Sequence, residues 1–64
     1  MPAKKTLQQR EKELQTLLAT PVGRDELQGL AARYQAASGR ARPEGASVVT
    51  YILVHEREHG LIES

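Results

Sequence analysis

The chain has 64 residues, nine Lys or Arg against eight Asp or Glu, a formal net charge of +1, and no Cys, Phe or Trp. A chain this short buries only about 60% of the surface that its unfolded form exposes, so its core must be thin. The absence of cysteine excludes both disulfide bridges and thiolate metal sites.

The N-terminal segment is polar and then helical. Residues 1–15 contain no apolar run, which argues against a signal peptide or membrane span and predicts a cytoplasmic protein with no membrane contact. Residues 1–5 are expected to be disordered. Thr6 and Gln9 then have the spacing of a capping box. They predict a first helix over about 7–19, with its apolar stripe at Leu7, Leu14, Leu17 and Leu18.

The second helix is predicted over about 21–38. Thr20 is a favourable N-cap residue, and Pro21 suits the first helical position. Gly39 is a plausible C-terminal stop, and the Gly and Pro residues of 39–46 predict a loop. The clearest amphipathic spacing in the chain, i, i+3, i+4 and i+7, falls in this helix at Leu27, Leu30, Ala31 and Tyr34.

The third segment allows two interpretations. Residues 48–54 are rich in β-branched side chains, which suit a buried strand if a second chain supplies an edge for pairing. A helix over about 47–59 is favoured, because Ser47 can cap it and Gly60 with Leu61 has the form of a helix C-cap.

As a helix, this segment is apolar nearly all round at its start, and such helices are normally surrounded. We therefore expect an all-α domain of three helices, completed by packing against a second subunit. The alternative is a monomer in which Leu61, Ile62 and the first helix fold back as cover. The predicted interface consists of Val48, Val49, Tyr51, Ile52, Leu53 and Val54.

Residues 55–59 read HEREH and resemble the His-Glu-x-x-His motif of the zincin peptidases. That resemblance implies zinc ligands at His55 and His59 and a catalytic base at Glu56. This chain departs from the zincin pattern in three respects: Arg57 and Glu58 are charged, the only downstream candidate for a third ligand, Glu63, lies beyond the helix end, and too little chain remains to form a substrate cleft. We therefore expect no cofactor and no enzymatic activity, with zinc binding as the alternative. The histidines are expected to extend the apolar stripe, with residues 56–58 solvated.

Nucleic-acid binding is a further alternative. Arg33, Arg40 and Arg42 lie around one predicted loop, and three helices can form a helix-turn-helix. The loop is longer than the usual three or four residues, however, and the would-be recognition helix is apolar and then acidic. The sequence therefore predicts a small non-enzymatic protein-protein interaction or oligomerisation module that forms a homo-oligomer or binds a protein partner, with a subunit of a larger assembly as one form of this interpretation.

Overall fold

The computed structural model describes residues 4–42 and 45–63. It contains three helices: α1 (Leu7–Leu18), α2 (Pro21–Ser38) and α3 (Val48–Glu58). Each helix packs against the other two, so the predicted all-α three-helix fold is confirmed. Parts of the predicted N-terminal disorder and of the 39–46 loop, residues 1–3 and 43–44, lie outside the described ranges.

The turn between α1 and α2 is tight and forms as the sequence predicts. The Thr20 hydroxyl accepts a hydrogen bond from the Gly23 N–H at 3.0 Å, and Pro21 occupies the first turn of α2. Gly23 lies against the carbonyl group of Leu17, and a methyl group at position 23 would overlap that carbonyl oxygen. The missing side chain therefore allows α1 and α2 to approach closely.

The third segment is a helix, so the strand interpretation of residues 48–54 is wrong. Its C-terminal end forms as expected: Gly60 has a φ of 69°, and the Leu61 N–H donates to the Glu56 carbonyl at 2.8 Å. Ser47 occupies the N-cap position, but its side chain makes no capping hydrogen bond. Packing of the apolar face, rather than side-chain capping, therefore stabilises the start of α3.

The core lies where the three helices meet. Three residues predicted at a subunit interface are instead buried inside this chain, because α1, α2 and the returning C-terminus cover them. In that return the Glu63 N–H donates to the Lys5 carbonyl at 2.9 Å, which brings Ile62 into the core. The buried apolar residues of the described chain are Leu14, Leu27, Ala31, Val49, Ile52, Leu53 and Ile62.

The other three predicted interface residues keep access to solvent. Val54 is 48% exposed, and Val48 and Tyr51 are half-buried at the edge of the core. An apolar surface for a partner on α3 is therefore smaller than the sequence indicated. Within residues 4–42 and 45–63, no helix is long and apolar enough to cross a membrane.

Candidate functional site

Glu56, the glutamate of the HEREH motif, is buried. The expectation that it is solvated is wrong, since only 3% of the residue is exposed. Arg10 of α1 donates to both of its carboxylate oxygens, from Nε at 2.8 Å and from Nη2 at 2.9 Å. The Tyr34 hydroxyl of α2 donates to Oε2 at 2.6 Å. Glu56 thus connects all three helices through polar contacts.

This arrangement shifts the pKa values of the residues around Glu56. The hydrogen bond to Glu56 raises the pKa of Arg10 above its usual range, against the opposing effect of burial. Burial, followed by the hydrogen bond to Glu56, raises the pKa of Tyr34 to about 12. Arg10 also pairs with Glu13. The hydrogen bond from Lys5, followed by the one from Arg10, lowers the pKa of the Glu13 carboxyl. The network therefore favours a charged Arg10 and a neutral Tyr34.

This geometry bears on the resemblance to zinc peptidases. In such enzymes the glutamate must reach a metal-bound water and accept its proton. Here both oxygens of Glu56 already accept hydrogen bonds from Arg10 and Tyr34. The Glu56 carboxylate therefore connects helices, and each of its oxygens already has a hydrogen-bond donor from this chain.

The two histidines of the motif form part of an aromatic stack. The His55 ring lies between Tyr34, with ring centroids 4.0 Å apart, and His59, with centroids 4.1 Å apart. The interplanar angles are 11° and 18°, so the rings are nearly parallel. Burial, followed by the charge of His59, lowers the pKa of His55.

Nearly parallel imidazoles do not chelate a metal well, because nitrogen lone pairs lie in the ring planes and here do not converge on one point. Nδ1 of His59 is also 2.9 Å from the His55 carbonyl oxygen. In the described part of the chain, no group of three or more His, Asp or Glu side chains is arranged to hold a metal ion. Zinc binding at this pair would therefore require the rings to rotate and further ligands to arrive.

The first candidate binding surface, the α3 depression, is an open hollow of about 450 Å³ between α3 and the chain that follows α2. The Tyr51 hydroxyl donates to the Arg40 carbonyl at 3.3 Å, which holds the two sides together. Its lining combines apolar and aromatic groups with groups of both charges. Its main lining residues are Arg40, Tyr51, Val54, His55, Glu58 and His59.

The second surface, the α2 groove, is an open hollow of about 670 Å³ between α1 and α2. Leucines from both helices line it, and Glu26 and Arg33 bring opposite charges to it. This surface was not identified from the sequence, and Arg33 was considered only for nucleic-acid binding. The available signal was the helical spacing of Glu26 and Arg33 around Gly29. Its lining residues are Arg10, Leu17, Glu26, Leu27, Gly29, Leu30 and Arg33.

The arginines proposed for nucleic acid do not line a common hollow. Arg33 lines the α2 groove, whereas Arg40 lines the α3 depression. Arg42 lies half-buried in the connection after α2. Each depression that holds one of these arginines also holds a glutamate, which differs from the one-sided positive surface typical of phosphate binding.

Comparison with known proteins gives no match to a family model, a curated protein or a solved structure. The geometry described above is therefore the basis for the functional inference.

Proposed function

We propose that this chain is a small non-enzymatic protein-protein interaction module that associates with copies of itself. One observation carries the proposal: both open depressions combine an apolar lining with charges of both signs. Tyr51 and Val54 lie with Arg40 and Glu58 in one of them. The other, the α2 groove, has leucines with Glu26 and Arg33. An apolar centre with a polar rim is the usual anatomy of a protein-binding surface.

The charge pattern favours a second copy as the partner. In a two-fold symmetric dimer the same patch occurs on both subunits, so it must be complementary to itself. A patch that carries charges of both signs can satisfy this condition, because a base can meet an acid of the other subunit. A patch of one sign would repel its copy.

The thin core supports the same conclusion. Seven apolar residues are buried in the described chain, and three of them, Leu14, Leu27 and Ile52, are essentially fully buried. A domain of this size has little stability to spare. Association would bury further apolar side chains, of which Val22 is 70% exposed, Val54 48% and Leu61 53%.

The direct test is the mass of the purified chain in solution. We expect sedimentation equilibrium to show a mass that rises from 7.1 kDa toward twice that value as concentration increases. A mass that stays at 7.1 kDa from micromolar to millimolar concentration would contradict self-association.

The location of the contact must be tested at an exposed position rather than at Ile52, one of the interface residues that the sequence predicted. Asp at position 52 would simply unfold the chain, because Ile52 is fully buried and an unpaired charge there costs several kcal/mol. Val54→Asp is better, because Val54 is 48% exposed in the α3 depression. If α3 forms the contact, this substitution lowers the mass without loss of helix content.

A further inference from the structure

The outer face of α2 carries a regular stripe of exposed residues. Val22, Glu26, Gly29 and Arg33 follow one another at spacings of four, three and four, so they lie on one side of the helix. All four are exposed, and Val22 is the most exposed large apolar residue of the described chain, at 70%. The 4-3-4 spacing is that of helices that pack lengthwise against another helix.

Within residues 4–42 and 45–63, no close contact accounts for a glycine at position 29. Glycine inside a helix costs about 1 kcal/mol relative to alanine. At Gly23 the contact with Leu17 explains the absence of a side chain, but a methyl group at position 29 would meet no atom within 4 Å. Gly29 therefore leaves an open notch in the exposed stripe, beside the half-buried Leu30.

The charges on this face are symmetric about a point beside the notch. Glu26 and Arg33 lie at equal distances along the helix from the point midway between Gly29 and Leu30. If a second α2 packs antiparallel with its two-fold axis at that point, each Glu26 faces the other subunit's Arg33. Each Leu30 then faces the notch at the other subunit's Gly29, where the two backbones can approach closely.

We propose that the α2 face docks a second copy of this chain in an antiparallel, two-fold symmetric pair, with Leu30 seated at the partner's Gly29 and Glu26 paired with the partner's Arg33. This inference rests on the proposed self-association and locates its contact surface. It assigns the contact to α2, whereas the sequence indicated α3. Two charge pairs and two apolar contacts then repeat across one axis.

Charge reversal tests the pairing. Glu26→Arg places two arginines against each other at both ends of the contact, and Arg33→Glu does the same with two glutamates. We expect each variant to raise the dimer dissociation constant on the order of tenfold or more. The double variant Glu26→Arg/Arg33→Glu exchanges the charges and restores association to near the wild-type value. Neither residue is buried, so circular dichroism should show unchanged helix content.

Mixing the single variants gives the sharper result. The Glu26→Arg chain carries two arginines on the face and the Arg33→Glu chain carries two glutamates, so only the mixed pair is complementary. Each variant alone should sediment as a monomer at a concentration at which the equimolar mixture forms a dimer. A mixture that stays monomeric when the wild-type chain dimerises would overturn the antiparallel pairing.

The notch is tested by filling it. Gly29→Leu has open space in the single chain, but it occupies the position that the partner's Leu30 needs, so the dissociation constant should rise at least tenfold. Gln28→Leu is the matched control, since it adds the same side chain to an exposed neighbouring position outside the stripe. Equal dissociation constants for the two variants would contradict the notch.

The two proposals fail in distinguishable ways. A wild-type chain that is monomeric at every concentration contradicts both self-association and the α2 contact, and would leave a different protein as the partner. A dimer that survives both charge reversals but dissociates with Val54→Asp places the contact on α3. That result overturns the α2 assignment and leaves the proposed function standing.

Discussion

Replacing Glu56 by Gln should destabilise the fold, although the sequence predicted that this residue is solvated at a polar helix end. The substitution keeps the side-chain shape but removes the negative charge that Arg10 contacts at 2.8 and 2.9 Å. One carboxylate oxygen becomes an amide nitrogen, which cannot accept a hydrogen bond from Arg10 or Tyr34. The guanidinium group then loses its closer ionic partner in a largely covered position and keeps only Glu13, at 3.2 Å.

The size of the effect follows from the burial of each partner. Removing one member of a buried ion pair costs about 3–5 kcal/mol. Water still reaches the Arg10 side chain, which is 22% exposed, and glutamine keeps one acceptor, so a loss of about 2 kcal/mol is expected. For a domain of this size each kcal/mol lowers Tm by about 4–8 °C. Glu56→Gln should therefore lower Tm by about 10 °C.

Thermal melts followed by circular dichroism measure this difference. Glu58→Gln is the matched control, because it makes the same chemical change two residues later at an exposed position and should shift Tm by no more than about 2 °C. Equal melting temperatures for the two variants would refute the structural role of Glu56. In a double-mutant cycle, Arg10→Met and Glu56→Gln together should cost less than the sum of the single changes.

Three further outcomes follow from the same contacts. Because the pKa of Tyr34 is raised to about 12 from an ordinary value of about 10, the fold should lose stability as pH rises through this interval, and Tyr34→Phe should reduce that loss in alkaline melts. Because the pKa of His55 is lowered, the stabilisation that neutral His55 gives the fold should be complete above about pH 6.5. That stabilisation should be lost as pH falls through the lowered pKa, so melts of His55→Gln should show a weaker acid dependence. In dilute solution, Gly29→Ala should stabilise the chain by about 0.5–1 kcal/mol, whereas Gly23→Ala should destabilise it by more than about 3 kcal/mol, since only position 23 faces a backbone carbonyl.

The local signals in the sequence were sufficient for the fold class. The capping box at Thr6 and the Thr20-Pro21 pair both form as predicted, because the groups that make these two caps lie within three residues of each other. Gly39, with a φ of 72°, also ends α2 as predicted. Residues 48–54 form a helix rather than a strand because the three helices of this chain cover one another. Its described residues provide no strand with which a further strand could pair.

The burial of Glu56 could not be predicted from neighbouring residues in the sequence. Glu56 follows Val49 and Ile52 on the inner face of α3, so its spacing places it in the core, but a charged residue is normally assigned to solvent. Burial becomes acceptable only because Arg10 supplies two donors from 46 residues away. A partner so distant in sequence is identified only when the fold brings α1 and α3 together.

The burial of Val49, Ile52 and Leu53 inside the chain could not be predicted for a related reason. The sequence showed an apolar helix but not how much cover the C-terminus supplies after Gly60. The return of residues 61–63, fixed by the hydrogen bond from Glu63 to Lys5, places Ile62 over the core. Self-association remains a prediction. The α2 groove could not be predicted from any single segment, because it forms where α1 and α2 pack together.

The central claim, self-association through α2, is tested most directly by intermolecular distances. The chain has no cysteine, so Ala37→Cys provides one site for a spin label, at an exposed position on α2. The labelled chain would be mixed with ¹⁵N-labelled wild-type chain, in which only contacts between subunits broaden the amide signals. Position 37 and Val22 lie about 22 Å apart along a single helix, but they face each other in the antiparallel pair. We predict selective broadening of the signals of residues 21–26; broadening confined to α3, or none at a concentration at which the chain is dimeric, would contradict the account.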